Sequence, residues 1–442
     1  LVRKTFLKFR NSEDNLVRVL RNSVWLFTGN GVTAVLSFFY LAILTRTLGP
    51  EGFGKFVLIF SAVQMISAFL RFQTWQTIVH FGVRYVLEQD PQKFSALAFF
   101  GIALETTGAL IGCILAWLII PVIGNYFDWG VEFIGITQIY AVIMLLCVKS
   151  SALGILRAHD RFRDGALADA MIPIGRMIGA SFVLFYGPSV TAFLGAWVGA
   201  EILSAVVFWI LVYRHARIRR SALHGKQISN IVSENPGIGK FFTSTALMEM
   251  VAAMREHLVV LMIGFLIDPR SAGLFRLAAQ LSNAINRIAD MFARPLFTEL
   301  SRIHAGGDLK EFRRLFYRSL RLSLLSGVGV IIVLVVIGKR LISLMAGPEF
   351  VDAYPLLVIL GAATGMGMIG LGLDPLLQAS GKAHLSLIIR ISALALILLS
   401  VYFLVPVFGA VGAALALLGA ALATLLVLLL TAFGEIGKMK RR

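Results

Sequence analysis

Six polar side chains recur along residues 273–295, GLFRLAAQLSNAINRIADMFARP: Arg276, Gln280, Asn283, Arg287, Asp290 and Arg294. Their steps of 4, 3, 4, 3 and 4 keep all six on one side of a helix, with a drift of about 20° per seven residues, while the other sides stay apolar. Arginine at such spacing points to anion recognition, because a planar guanidinium donates two parallel hydrogen bonds to a phosphate or carboxylate. The stripe covers 18 residues, roughly 27 Å at about 1.5 Å per residue, close to the depth of a hydrocarbon core of about 30 Å. An arginine at mid-bilayer costs about 2.5 to 3.5 kcal/mol on the insertion scale. Arg287 therefore needs a partner or water, and Asp290, three residues later, can supply one partner, while Arg276 and Arg294 can snorkel toward the ends. The competing reading is a helix lying flat at the surface, or one whose charges form salt bridges between helices without meeting a substrate.

The elements that must hold this stripe are membrane spans. Apolar residues make up 58% of the chain and charged residues 15%, and the mean hydropathy is +0.84, far from the range of soluble domains. Twelve apolar runs approach the length of about 20 residues needed to cross a bilayer: 24–45, 55–72, 95–120, 132–155, 166–186, 190–213, 240–267, 273–293, 322–338, 353–378, 385–405 and 409–433. The first is too long for a signal-peptide core and lacks a small-x-small cleavage site, so it reads as a retained span. Cys113 and Cys147 both fall in spans and read as small apolar fillers.

The net charge of +17 is unevenly placed. With the amino terminus inside, 30 of the 41 basic residues fall in cytoplasmic segments, 5 in the opposite loops and 6 within spans. That asymmetry predicts cytoplasmic termini. The runs YRHARIRR (213–220) and EFRRLFYRSLR (311–321) then read as contacts to anionic membrane lipids. No nucleic-acid-binding fold accompanies them, so no nucleic-acid partner is expected. The opening RKTFLKFRNSEDNLVRVLRNS reads as an amphipathic interfacial helix.

An internal repeat organises the spans. Residues 48–66 lie without gaps on 267–285 at an offset of 219, matching Pro50 with Pro269, Gly54 with Gly273 and Phe56 with Phe275. ILRAHDRF (155–162) matches LLQASGKA (376–383) at an offset of 221. Offsets near half the chain imply two six-helix lobes related by a pseudo-twofold axis along the membrane normal, with a central cavity. The expected boundaries are an amphipathic segment 1–23, lobes 24–213 and 240–433, a basic linker 214–239 and a basic tail 434–442. The fold class is thus all-α integral membrane.

The same offset places Asn30 opposite Glu249 and Ser37 opposite Glu256, and sets Ser61, Gln64 and Arg71 against the charged stripe. Candidate substrate-binding residues are therefore Arg276, Gln280, Asn283, Arg287, Arg255, Asn30, Ser37, Gln64 and Arg71. Glu249, Glu256 and Asp290 are the candidates for ion coupling, with pairing to the arginines as the alternative role. Glu105, Lys149, Asp169, Arg176, Glu201, Asp374 and Arg390 read mostly as buried pairing. GxxxG spacings at Gly108/Gly112, Gly175/Gly179, Gly195/Gly199 and Gly361/Gly365 allow close helix packing.

Enzyme signatures are missing. NPGIGKFF (235–242) lacks the spacing of a phosphate loop, and the seven histidines form no HExxH or HxxEH arrangement. No cofactor, metal or catalytic residue is expected.

The basic start, LTRTLGPEGFG at the end of the first span, ILRAHDRFRDGAL in the middle and LLQASGKAHLSL with VPVFGAVGAALA near the end resemble the polysaccharide-transporter and O-antigen flippase family. That family shares a superfamily with the multidrug and toxin extruders and the lipid II flippase. The resemblance implies a V-shaped transporter that rocks about a central cationic cavity. Its cargo would be undecaprenyl-pyrophosphate-linked oligosaccharide, moved to the outer leaflet of a bacterial inner membrane for cell-surface polysaccharide synthesis. A glycan polymerase or glycosyltransferases of the same pathway would be partners. With twelve spans expected, the extra pair of carboxyl-terminal helices of the lipid II and fourteen-helix relatives is not expected, a departure that bears on lipid II as the substrate. Competing readings are a drug or metabolite antiporter of the same architecture, a glycan polymerase or ligase, and a non-transporting scaffold.

Overall fold

The computed structural model describes the backbone of residues 2–70, 72, 74–127, 129–216, 218, 225–284, 309–370 and 383–439. Side chains are described for 33, 35–70, 72, 74–127, 129–131, 133–216, 218, 230–284, 321, 323–370, 385 and 388–431. The described residues form helices and their connections, with no strand among them. In order these are α1 (Val2–Leu70), α2 (Trp75–Leu87), α3 (Pro91–Tyr126), α4 (Val131–Leu146), α5 (Ser150–Ala158), α6 (Phe162–Tyr186), α7 (Val190–His215) and α8 (Gly225–Glu234). There follow α9 (Ile238–Ala253), a π-helical turn (Met254–Leu258), α10 (Val259–Leu266) and α11 over residues 269–284. Last come α12 (Leu309–Ala346), a 3₁₀ turn (Pro348–Ala353), α13 (Tyr354–Gly370) and α14 (Ala383–Met439).

Eight of the described helical stretches are long and apolar enough to cross a membrane. Two of them, Val35–Leu87 and Ile388–Thr431, run to 53 and 44 residues, about twice what one crossing needs. Each contains a glycine that breaks the helix. Gly49 has φ 64° and Gly409 φ 61°, left-handed backbone that a residue with a Cβ resists. Gly49 falls between the spans expected at 24–45 and 55–72, and Gly409 is the first residue of the span expected at 409–433, just after the one at 385–405.

Three elements depart from the sequence expectation. The span expected at 132–155 is not one helix, because Cys147, Val148 and Lys149 are non-helical between α4 and α5. The span expected at 240–267 contains the π-helical turn. A 13-residue helix, α2, lies within a stretch that has no apolar run, and it buries Thr77, Ile78, Gly82 and Tyr85.

The chain groups into two compact units, Leu1–Thr47 with Val63–Met250, and Leu48–Ala62 with Val251–Arg442. In the first, α6 and α7 pack through small residues. A Cβ built on Gly175 would meet Ala200 at 2.9 Å, and one on Gly179 would meet Ala196 at 2.6 Å. Such close approach replaces the hydrophobic drive that lipid does not supply. Gly195 and Gly199, expected to pack, face open space instead. The contact face of α7 is one residue over, at Ala196 and Ala200. Helix α8 is tied to this unit by Tyr85 Oη donating to Asn235 Oδ1 at 3.0 Å and by the ion pair of Lys93 with Glu234 at 3.3 Å.

In the second unit, residues 48–62 pack on the α10–α11 junction. Gly54 approaches so closely that its Cβ would lie 1.8 Å from the carbonyl oxygen of Pro269. Leu58 fills the space over Gly264, and Phe53 meets Phe350 edge-on at 5.9 Å.

Candidate functional site

Helix α11 carries the amino-terminal half of the stripe. Its buried side holds Ala272, Leu274, Phe275, Leu277, Ala278 and Leu281, while Arg276 and Gln280 are half-buried and Asn283 is exposed. Ser282, on the buried side, anchors the helix by donating to Leu360 O at 3.0 Å and sharing a 2.6 Å hydrogen bond with Thr364. The three described stripe residues thus share the less buried face, as their 4 and 3 spacing requires.

Facing α11 is the π-helical turn. MREHL places Arg255, Glu256 and His257 in succession, three polar groups that an α-helix would spread over about 200° of its circumference. A π-turn holds one residue more than an α-turn, and such turns recur at functional sites. It also breaks the α-helical register between Glu249 and Glu256, because the turn Met254–Leu258 lies across the interval between them.

The two elements meet in an ion pair. Arg276 Nη2 donates to Glu256 Oε1 at 2.9 Å; the arginine side chain is 13% exposed and the carboxylate 48%. Arg255 is exposed, and Arg390 of α14 lies near enough for their like charges to repel. His257 is buried, its ring edge-on to Phe60 at 6.0 Å, and its Nδ1 has no hydrogen-bond partner among the described residues. Motif spacing alone passes over His257, because it fits no metal-binding arrangement. Its signal was the run of three consecutive polar residues inside an apolar helix.

The other candidates divide as follows. Ser37 and Gln64 are half-buried in the first unit, where Glu249 also falls. The side chain of Asn30 lies outside the described residues, as do Arg71, Arg287, Asp290 and Arg294.

A second polar cluster lies in the first unit and does what was expected of it. Lys149 Nζ donates to Glu201 Oε2 at 2.5 Å, and Arg176 Nη2 donates to Glu201 Oε1 at 3.3 Å. The Arg176 guanidinium also lies 5.2 Å from the centroid of the Trp197 ring and donates to Tyr40 Oη at 3.4 Å. Glu105, fully buried, accepts from the amides of Lys149, Ser150 and Ser151 at 3.1, 2.9 and 2.8 Å, and from Ser151 Oγ at 2.7 Å. It caps the start of α5 from another helix, replacing the bonds lost at the break.

The fold is similar to those of solved membrane transporters. An inward-facing multidrug resistance MATE family transporter of the MOP superfamily superposes with TM-score 0.71 at 14% identity, covering 92% of this chain and 96% of that one. The lipid II flippase MurJ in an inward closed conformation gives TM-score 0.72 at 16% identity, covering 95% and 90%. In sequence, the chain is 26% identical over 344 residues to the "Inner membrane protein YghQ" of Escherichia coli (strain K12), covering 77% of this chain and 95% of that protein. It is 23% identical over 414 residues to the "Putative O-antigen transporter" of Shigella flexneri, covering 90% and 93%. The sequence profile of the family described as polysaccharide biosynthesis protein matches residues 19–304. With an all-α membrane-spanning architecture and that match over more than half its length, the chain belongs to the polysaccharide biosynthesis protein family.

Proposed function

We propose that this protein is a flippase that moves undecaprenyl-pyrophosphate-linked oligosaccharide across the bacterial inner membrane by alternating access, with both termini in the cytoplasm. The observation that carries this reading is the Arg276–Glu256 pair at the head of a polar face on α11. Family membership and relatives named for O-antigen transport and lipid II flipping support it. Glu256 presents to Arg276 the two-oxygen anion that a phosphate would present. A pyrophosphate entering between them takes over the guanidinium, with Gln280, Asn283, Arg255 and Arg287 as further donors and Asn30, Ser37, Gln64 and Arg71 serving the glycan from the other lobe. The released Glu256 carboxylate is then the group that takes up a proton, and Glu249 and Asp290 are its companions in ion coupling. Outward movement of the anion is favoured by an inside-negative potential, by about 2.3 kcal/mol per charge per 100 mV. A glycan polymerase or glycosyltransferases of the same pathway would be its partners.

The test is leaflet transfer of fluorescently labelled undecaprenyl-pyrophosphate oligosaccharide in liposomes holding the purified protein. A hydrogen bond to a charged group contributes about 1.5 to 3 kcal/mol, so Arg276→Ala should slow transfer about tenfold or more. Glu256→Gln should retain transfer and lose its response to an imposed pH gradient. Transfer that is indifferent to both Arg276→Ala and Arg287→Ala rejects the site, and absence of transfer for any prenyl-linked glycan rejects the function.

A further inference from the structure

The break between α4 and α5 leaves a hollow on the flank of the first unit. Where α4 stops at Leu146, a turn of helix is missing beside α7, and a cavity of about 760 Å³ opens there. Its walls are Ile143, Leu146 and Val148 on one side and Val206, Trp209 and Ile210 on the other, and it ends at Tyr213 and Arg214. The hollow is apolar because the broken backbone is satisfied from within. Trp209 Nε1 donates to Val148 O at 2.8 Å, and Glu105 takes the amides that follow. Leu146, Val206 and Ile210 are each close to half exposed, so the groove is open along its length.

Length and charge name the occupant. The α7 wall runs from Ile202 to Arg214, roughly 18 Å at about 1.5 Å per residue, close to one leaflet of a hydrocarbon core of about 30 Å. At its end Arg214 is exposed and makes no ion pair with any described carboxylate, whereas its neighbour His215 faces Asp164 at 3.6 Å. An apolar trough one leaflet deep that ends in an exposed guanidinium, with no ion pair among the described residues, beside a tyrosine matches an acyl chain joined to a phosphate. We infer that this groove binds one acyl chain of an anionic glycerophospholipid, with its phosphate held by Arg214. The inference does not depend on what the protein transports.

The test uses the full-length protein in phosphatidylcholine vesicles containing a minority of phosphatidylglycerol, with bromine on the acyl chains of one lipid or the other. The contribution of Trp209 is the emission difference between the wild type and Trp209→Phe. Brominated phosphatidylglycerol should quench it several-fold more strongly than brominated phosphatidylcholine at the same mole fraction. Arg214→Gln, at an exposed position, should bring the two lipids to parity, and Ala205→Leu should fill the floor and reduce quenching by both. As a check independent of fluorescence, native mass spectrometry should show one phosphatidylglycerol fewer surviving delipidation in Arg214→Gln. Equal quenching by both lipids in the wild type means bulk lipid contact only and overturns the site. So does an unchanged preference, or unchanged lipid retention, in Arg214→Gln.

Discussion

Gly54 and Gly273 lie backbone against backbone: a Cβ on Gly273 would sit 3.0 Å from both the Cα and the amide nitrogen of Gly54. These are the two residues that the internal repeat aligns with each other, so equivalent turns of the two halves touch at equivalent atoms. Gly54→Ala would drive a methyl group into the Pro269 carbonyl, which is backbone and cannot step aside. A loss of about 1 to 3 kcal/mol is expected from such overpacking, and thermal unfolding of the purified protein in detergent measures it. An unchanged midpoint would mean that residues 48–62 do not pack on 269–273 in solution.

The α6–α7 contact yields a paired comparison. Gly179→Ala places a methyl group against Ala196 and should lower the unfolding midpoint, whereas Gly195→Ala enters open space. Alanine is favoured over glycine in a helix by about 0.5 to 1 kcal/mol, so Gly195→Ala should be neutral or stabilising. The reverse order would place the glycines, and not Ala196 and Ala200, in the interface.

Glu105 is the carboxylate that accepts from the amides of Lys149, Ser150 and Ser151 at the start of α5. Glu105→Ala leaves three amides without this acceptor, that of Ser151 buried and those of Lys149 and Ser150 partly so, and an unsatisfied buried group costs about 1 to 3 kcal/mol. The variant should unfold several degrees earlier, and amide exchange at residues 149–151 should rise more than elsewhere in the first unit. Glu105→Gln keeps one acceptor oxygen and should fall between the two. Exchange raised uniformly would argue that the carboxylate does not cap this helix in particular.

The Lys149–Glu201–Arg176 cluster predicts an asymmetry. Glu201→Gln strands two cations in a poorly solvated setting, while Lys149→Met removes one cation and leaves Glu201 paired with Arg176. Breaking a buried pair by removing one partner costs about 3 to 5 kcal/mol, so Glu201→Gln should be the more destabilised in detergent unfolding. Combining Lys149→Met with Glu201→Gln should recover part of the loss. Strict additivity of the two would show that the groups do not interact.

What was legible in the sequence was whatever repeats within one element. The face holding Arg276, Gln280 and Asn283 follows from spacing along one helix, and the match of Gly54 to Gly273 from spacing along the chain. Features depending on partners far away were not legible. The apolar run 132–155 contains nothing that marks an interruption, because the stabilising groups, Glu105 and Trp209, belong to α3 and α7. Helix α2 has too few apolar residues in succession to register as a span, and its buried side became visible only with α3 and α5 beside it.

The interruption at residues 147–149 also bears on movement. Flexing there would sever the four bonds to Glu105 and the one from Trp209 together, in surroundings where oil offers no substitute donors or acceptors. The gap is thus a welded corner rather than a pivot. It ties α3, α5 and α7 to one another at the point where α4 ends.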